Sequence, residues 1–271
     1  MNEKTMSPIV ARRIAFALAA TLSALGAACE EKSPASLAPQ ASALASAVPV
    51  TETSKKFVVQ TDTSDVEFSM DAELEKIFGR APKSVEGELF VDAGSIGKTR
   101  GLLKVDLLDL ALFQRKRGKA DEEFGEEVKE EKQNEDARTW LQINEDAPQE
   151  MREQNRWVEF KVEKVTSTSN DDVRAMSGSE RKVTAAVEGT VRLHGRVAKK
   201  TAKLELSFHF DGDDVKSLSV KTTEPLEIGL EEHDIRPRKA FDQLADATLE
   251  KLGAKVAKIA KVNVEFEAAA Q

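Results

Sequence analysis

Few side chains of this chain could perform catalysis or hold a metal ion. The sequence has three histidines (His194, His209 and His233) and a single cysteine, Cys29. No second histidine or cysteine stands at the spacing of a metal-ligand pair, and no serine or cysteine nucleophile motif is present. The sequence therefore predicts neither a metal site nor a catalytic site, and no disulfide bond can form within one chain.

The densest polar cluster surrounds His233, with Asp234, Arg236 and Arg238 close by in sequence. Because an arginine guanidinium matches phosphate geometry, Arg236 and Arg238 could contact a phosphate headgroup at the mouth of a cavity. The alternative is a surface turn ahead of a helix. Adjacent carboxylates elsewhere are typical of solvated turns, since neighbours on a strand point to opposite faces; these pairs are Asp171–Asp172, Asp213–Asp214 and Glu231–Glu232.

The composition excludes several classes of partner. The formal net charge is -8 at pH 7 and 32% of the residues are charged. A nucleic-acid-binding protein needs a basic footprint for the phosphates, so the acidic balance argues against that function. The chain has no tyrosine and two tryptophans, which is unlike the aromatic lining of a sugar-binding groove.

The N-terminus has the three-part plan of a secretory signal. Basic residues are followed by the apolar run IAFALAATLSAL and then by the small residues GAA before Cys29. We predict a signal peptide over residues 1–28. The single cysteine at the cleavage point resembles the lipobox of bacterial lipoproteins, which implies acylation of Cys29 and, with Glu30 after it, a periplasm-facing place on the outer membrane. The alternative is an ordinary signal peptide and a soluble periplasmic or secreted protein.

Composition divides the rest of the chain into two parts. Residues 29–54 are rich in Ala, Ser and Pro, which predicts a disordered tether. One folded domain is expected over residues 55–271, because no later composition shift marks a second domain. Within it, residues 116–136 form a charged insertion with one Phe and one Val, interpreted as a solvated loop or an exposed helix.

Alternation of apolar and polar residues dominates the folded domain. About eight stretches alternate with period two, at spacings typical of hairpins. Residues 71–79 fit a short helix, and Arg238 to Lys261 fit one long helix that leads into a last strand. The pattern predicts an antiparallel barrel or sandwich; an eight-stranded barrel encloses either packed side chains or one small ligand.

The most regular hairpin is VEGTVRLHGRVAKKTAKLELSFHF, from Val187 to Phe210. Val187, Val191 and Leu193 share one face, and the returning arm alternates in the same way. The pattern breaks at His194 and Gly195, and glycine adopts positive φ without a steric penalty. We therefore interpret His194 as a turn residue rather than a ligand or a catalytic base.

Four segments together resemble the YceI-like family of bacterial secreted lipid-binding proteins. They are FVVQTDTSDVEFSM, VEGELFVD, the stretch from EDARTWLQI to RWVEFKVEKV, and VEGTVRLHGRVAKKTAKLELSF with its L-H-G turn. The resemblance spans most of residues 55–266. It implies a lipocalin-like antiparallel barrel, and together with the residue pattern it leads us to predict a barrel of eight strands with one long C-terminal helix before the last strand. It further implies a long isoprenoid chain in an apolar lumen, frequent dimers and a place in the cell envelope.

Two functions follow as alternatives. The first is a non-catalytic protein that binds a long-chain, polyisoprenoid-like lipid, with no other cofactor, a lipid-anchored N-terminus and a homodimer as a candidate assembly. The lumen would be lined by inward-facing apolar residues: Val66, Phe68, Leu89, Phe160, Val191, Leu193, Leu204, Leu206 and Phe208. The second is a structural or interaction module with a filled barrel core, in which the charged insertion is a partner surface.

Overall fold

The computed structural model describes residues 37–236 and 257–271, and these ranges consist mainly of antiparallel strands. They contain twelve strands and two α-helices. The strands are β1 (Lys55–Asp71), β2 (Glu75–Pro82), β3 (Val85–Val91), β4 (Arg100–Asp106), β5 (Ala111–Lys116), β6 (Val128–Lys129), β7 (Trp157–Thr168), β8 (Glu180–Leu193), β9 (Arg196–Asp211), β10 (Asp214–Glu224), β11 (Leu226–Gly229) and β12 (Ile259–Ala270). The helices are α1 (Glu131–Trp140) and α2 (Gln149–Asn155).

Eight of these strands close into a barrel. Their order around the wall is β1-β3-β4-β7-β8-β9-β10-β12, and β12 returns to pair with β1. The closing pair is antiparallel and runs from Phe57 opposite Ala270 to Ser69 opposite Lys261. The predicted mainly-β, eight-stranded antiparallel barrel is therefore confirmed.

Strand β1 pairs with different strands along its two halves. Its first half pairs with β3 and its second half with β2, on either side of an irregularity between Gln60 and Asp65. A bulge of this kind bends a strand and redirects its pairing. Strands β2, β5 and β6 thus form a side extension of the barrel. Helix α1 lies along it, because the Asn134 side chain hydrogen-bonds both the N–H and the carbonyl of Leu112, at 2.8 and 3.1 Å.

The β8–β9 hairpin turns at His194 and Gly195, whose φ angles are 50° and 70°. Two positive φ angles in a two-residue loop match the twist of the flanking strands. The His194 ring also hydrogen-bonds the carbonyl of His233 through Nδ1, at 3.1 Å. The interpretation of His194 as a turn residue is confirmed.

The short helix predicted over residues 71–79 is wrong. Strand β2 begins at Glu75 and pairs with β1, with Gly79 opposite Phe68. The spacing of Leu74, Ile77 and Phe78 fits a helix locally, but strand formation depends on the partner strand more than on local spacing. Position 79 also requires glycine, because a Cβ there would fall about 2.1 Å from the Phe68 ring.

The disordered tether predicted for residues 29–54 is wrong for its described part, residues 37–54, which we call the N-terminal strap. The strap lies against the barrel, and Ala38 and Ala47 are buried. Backbone hydrogen bonds hold it: Ala38 N–H to Glu232, Ala41 N–H to Gly195 and Val197 N–H to Pro39, each at 2.9 Å. These bonds need no particular side chain, so composition did not indicate them.

Several predictions fall wholly or partly outside the described residues. The signal peptide, Cys29 and Arg238 lie outside them, as do residues 238–256 of the predicted long helix. Its last residues are described, and Ile259–Lys261 belong to β12 rather than to a helix because they pair with β11 and β1. Within the described ranges, neither helix is long and apolar enough to cross a membrane.

Candidate functional site

The barrel encloses a cavity of about 530 Å³. All eight barrel strands contribute to its lining, almost entirely with aliphatic and phenylalanine side chains. This follows from the alternation of the strands: in β7, Val158, Phe160 and Val162 line the cavity while Glu159 points outward. The volume lies within the range of about 300–1,000 Å³ that is usual for sites that enclose one small molecule.

The cavity brings together all nine residues predicted to line the lumen: Val66, Phe68, Leu89, Phe160, Val191, Leu193, Leu204, Leu206 and Phe208. Their contact with a lipid stays a prediction. Smaller inward residues leave the space open, among them Val191, Ala202 and Ala260. An inward set that also contained a large side chain at each of these positions would fill an eight-stranded barrel.

One end of the cavity is formed by parts of the chain that the sequence did not assign to it. One face of α1 and its C-cap residue line this end, with side chains at positions i, i+4, i+7 and i+8: Gln133, Ala137, Trp140 and Leu141. Side chains at these spacings share one helix face. This spacing could have indicated a cavity-facing helix, but the high charge of residues 116–136 led to their interpretation as a solvated segment. Ile77 of β2 and Leu112 of β5 complete this end.

The α1 end also carries most of the polar side chains of the cavity wall. Gln114 on β5 is only 6% exposed, and its Oε1 has no hydrogen-bond partner among the described residues. The Gln133 Oε1 is likewise buried without one, while its Nε2 donates to Glu75 Oε1 at 3.3 Å. Lys116 Nζ lies 3.1 Å from Glu130 Oε2 and 3.9 Å from Glu75 Oε1. This end is therefore a polar rim on an apolar cavity.

His233 packs against the β8–β9 hairpin and has a structural role. Its side chain is fully buried, and Nδ1 donates to the Leu193 carbonyl at 3.2 Å. Burial lowers the pKa of His233 below its usual 6.5, although the bond to Leu193 and the charge of Glu232 act in the opposite direction. The ring is therefore neutral, with the proton on Nδ1.

Arg236, predicted as a headgroup contact, does not line the cavity. Its side chain is 58% exposed and its Nε lies 3.0 Å from Asp234 Oδ1. The surface-turn alternative describes it better, because Asp234 has a left-handed backbone with a φ of 56°, a conformation that aspartate tolerates in turns. Arg238 lies outside the described residues.

The carboxylate pairs stand in loops or at the ends of strands, except Glu231–Glu232, which lies in a short 3-10 helix. Asp171 accepts hydrogen bonds from Gly97 N–H at 2.6 Å and from the Ser95 hydroxyl at 3.0 Å. Asp214 begins β10, directly after the turn from β9. In the part of the chain that the structure describes, no group of three or more His, Cys, Asp or Glu could hold a metal ion.

Comparison with solved structures finds proteins of similar structure. A polyisoprenoid binding domain from Saccharophagus degradans, implicated in plant cell wall breakdown, is 13% identical, covers 79% of this chain and 98% of its own, and superposes with a TM-score of 0.48. BcnA from Burkholderia cenocepacia is 10% identical, covers 78% of this chain and 99% of its own, with a TM-score of 0.46. No protein-family model matches the sequence, and a search of curated proteins finds no match.

Proposed function

We propose that this protein binds the apolar chain of an amphiphilic lipid inside the barrel. The observation that carries the proposal is the cavity of about 530 Å³ with its aliphatic and aromatic lining. Each methylene group moved from water into such a lining contributes about 0.8 kcal/mol. A long chain therefore binds without catalytic groups and with few polar contacts.

The ligand class and the location are further parts of the proposal. The resemblance of four sequence segments to the YceI-like family supports a polyisoprenoid chain as the ligand. The signal-like N-terminus and Cys29 support a place in the cell envelope, with an acyl anchor that adds a membrane as partner. A carrier of this kind performs no reaction, so we propose a binding protein rather than an enzyme, and a homodimer is its candidate assembly.

The test is native mass spectrometry of the chain after export to a bacterial periplasm and purification without detergent. The expected spectrum shows an adduct that releases a long-chain lipid on denaturation, and it also gives the oligomeric state. Residues 37–54 must be retained, because the strap packs against the barrel. A bare mass that stays unchanged after incubation with polyprenyl lipids would overturn the proposal and favour the interaction module.

Two neighbouring positions on β9 supply a matched pair of variants. Leu204 lines the cavity, whereas Lys203 points outward and is ion-paired with Glu224 at 2.8 Å. Leu204→Trp places an indole in the cavity, and Lys203→Trp places the same indole on the surface. We expect the first variant to lose most of the lipid adduct and the second to retain it.

A further inference from the structure

The polar rim at the α1 end contains a buried amide oxygen, Oε1 of Gln114, that has no hydrogen-bond partner among the described residues. Gln114 faces the cavity from β5, between Phe113 and Arg115, which stack on other side chains outside it. Leaving a buried amide unpaired costs about 1–3 kcal/mol. An apolar residue of the same size would avoid this cost, so the amide needs a partner that the cavity receives from elsewhere.

The charges of the rim bear on the nature of that partner. Three carboxylates (Glu75, Glu130 and Asp136) and two ammonium groups (Lys116 and Lys132) line the cavity at this end. Lys116 is already placed between Glu130 and Glu75. With acids in excess, and with no arginine among the described residues that line the cavity, the rim disfavours a phosphate or carboxylate headgroup.

We propose that the α1 end is a headgroup site for an uncharged hydroxyl group, which donates a hydrogen bond to Oε1 of Gln114. The proposal rests on the proposed function, because the hydroxyl belongs to the lipid whose chain fills the cavity. The lipid is then an alcohol rather than a phosphate ester. Its chain runs from α1 towards the end of the barrel where β4 begins, past Leu103 and Val162. The oxygen of Gln133 accepts a second donor, such as a water molecule held beside the hydroxyl.

Tryptophan fluorescence measures binding at this site. Trp140 on α1 lines the cavity, whereas Trp157 lies outside it against the Arg156 guanidinium. The chain has two tryptophans, so Trp157→Phe leaves Trp140 as the only reporter. In this background, the emission of Trp140 is followed during titration with geranylgeraniol, with the isoprenoid hydrocarbon of the same chain but no hydroxyl, and with geranylgeranyl phosphate.

We expect geranylgeraniol to bind about tenfold more tightly than the hydrocarbon, the ratio that one net hydrogen bond of ordinary strength gives. The phosphate should bind more weakly than the alcohol. Gln114→Leu should remove the preference for the alcohol while the affinity for the hydrocarbon is kept or raised. The control is Gln60→Leu, since Gln60 is exposed on β1 and hydrogen-bonds its own neighbour Val58; it should leave the ratio unchanged.

The outcomes separate the headgroup site from the proposed function. Equal affinity for alcohol and hydrocarbon, or tightest binding of the phosphate, would overturn the headgroup site and leave the lipid-binding cavity intact. Failure of all three compounds to change the emission of Trp140 would overturn both. Replacing an unpaired buried amide by an apolar isostere does not destabilise the fold, and thermal unfolding of Gln114→Leu checks this directly.

Discussion

The backbone N–H of Leu44 donates a hydrogen bond of 2.7 Å to Oε2 of Glu159, although 115 positions separate the two residues. Glu159 points out of the barrel from β7, yet its side chain is only 2% exposed, as is that of Arg192 on β8. The Glu159 Oε2 lies 4.0 Å from Arg192 Nη1, and Arg192 Nε donates to the Ala41 carbonyl at 3.2 Å. The strap thus covers an ion pair on the outer wall and completes its hydrogen bonds.

Replacing Leu44 tests whether the strap contributes to stability through this bond. Leu44→Pro removes the N–H donor and leaves a buried carboxylate with one hydrogen bond fewer. We expect the free energy of unfolding to fall by about 1–3 kcal/mol, measured by urea denaturation. Leu44→Ala is the control, because it keeps the N–H and should cost clearly less. Equal losses in the two variants would mean that the side chain, and not the hydrogen bond, holds the strap.

Neutralising Glu159 tests the ion pair itself. Glu159→Gln keeps the shape of the side chain but leaves Arg192 buried without its opposite charge, which typically costs about 3–5 kcal/mol. The matched control on the same strand is Glu163→Gln, whose partner Lys199 is exposed; an exposed pair contributes less than about 1 kcal/mol. Urea denaturation of both variants makes the comparison, and similar losses would contradict a special role for the buried pair.

The lining residues of the barrel could be predicted from the sequence because successive residues of a strand point to opposite faces of the sheet. Val191 and Leu193 alternate with Arg192, and this period of two places the first two inside and the third outside. The same pattern requires the apolar face of the sheet to be covered, which a barrel or a sandwich would do; the pairing of β12 with β1 decides for the barrel. The short helix at residues 71–79 failed because the pairing of β2 with β1 depends on residues far apart in the sequence.

The strap and the rim of the cavity could not be predicted in the same way. The strap is held by backbone groups, such as the N–H of Ala41 that donates to the Gly195 carbonyl, and these are common to every sequence. Helix α1 carries a cavity-facing stripe, but charged residues on its other faces give it the composition of a solvated segment. Buried backbone bonds and short amphipathic helices leave weak signals in composition.

Acid should release the C-terminal end of the strap. Burial alone would raise the pKa of Asp92, but hydrogen bonds from the Thr53 hydroxyl, the Gly94 N–H and the Thr51 hydroxyl outweigh it and hold the pKa below the usual 3.8. A carboxylate with a lowered folded-state pKa stabilises the fold above pH 3.8, and this contribution is lost as the pH falls through the folded-state value. Limited proteolysis of the strap should therefore accelerate below about pH 4.

The control for this acid response is Asp92→Asn. The amide has no proton to gain in this range, so cleavage of the strap in that variant should be faster than in the unaltered chain at neutral pH. It should change less between neutral pH and about pH 3. A strap that is cleaved with the same pH dependence in both proteins would show that other carboxylates govern its release.

His233 should make the barrel less stable in mild acid. Because burial lowers the pKa of its imidazole below 6.5 in the folded chain, the unfolded chain binds a proton that the folded chain excludes. Stability therefore falls as the pH drops from 6.5 towards the folded-state pKa, and it is unaffected by this group above 6.5.

His233→Asn keeps a donor for the Leu193 carbonyl but does not titrate. We expect its melting temperature to be lower at neutral pH and to fall less between about pH 7 and 5 than that of the unaltered chain. His209→Gln, at a ring that is half-buried on β9 and bonded to Ser219, should keep the full dependence on pH. Parallel melting curves for the unaltered chain and His233→Asn over this range would show that His233 takes up its proton without unfolding.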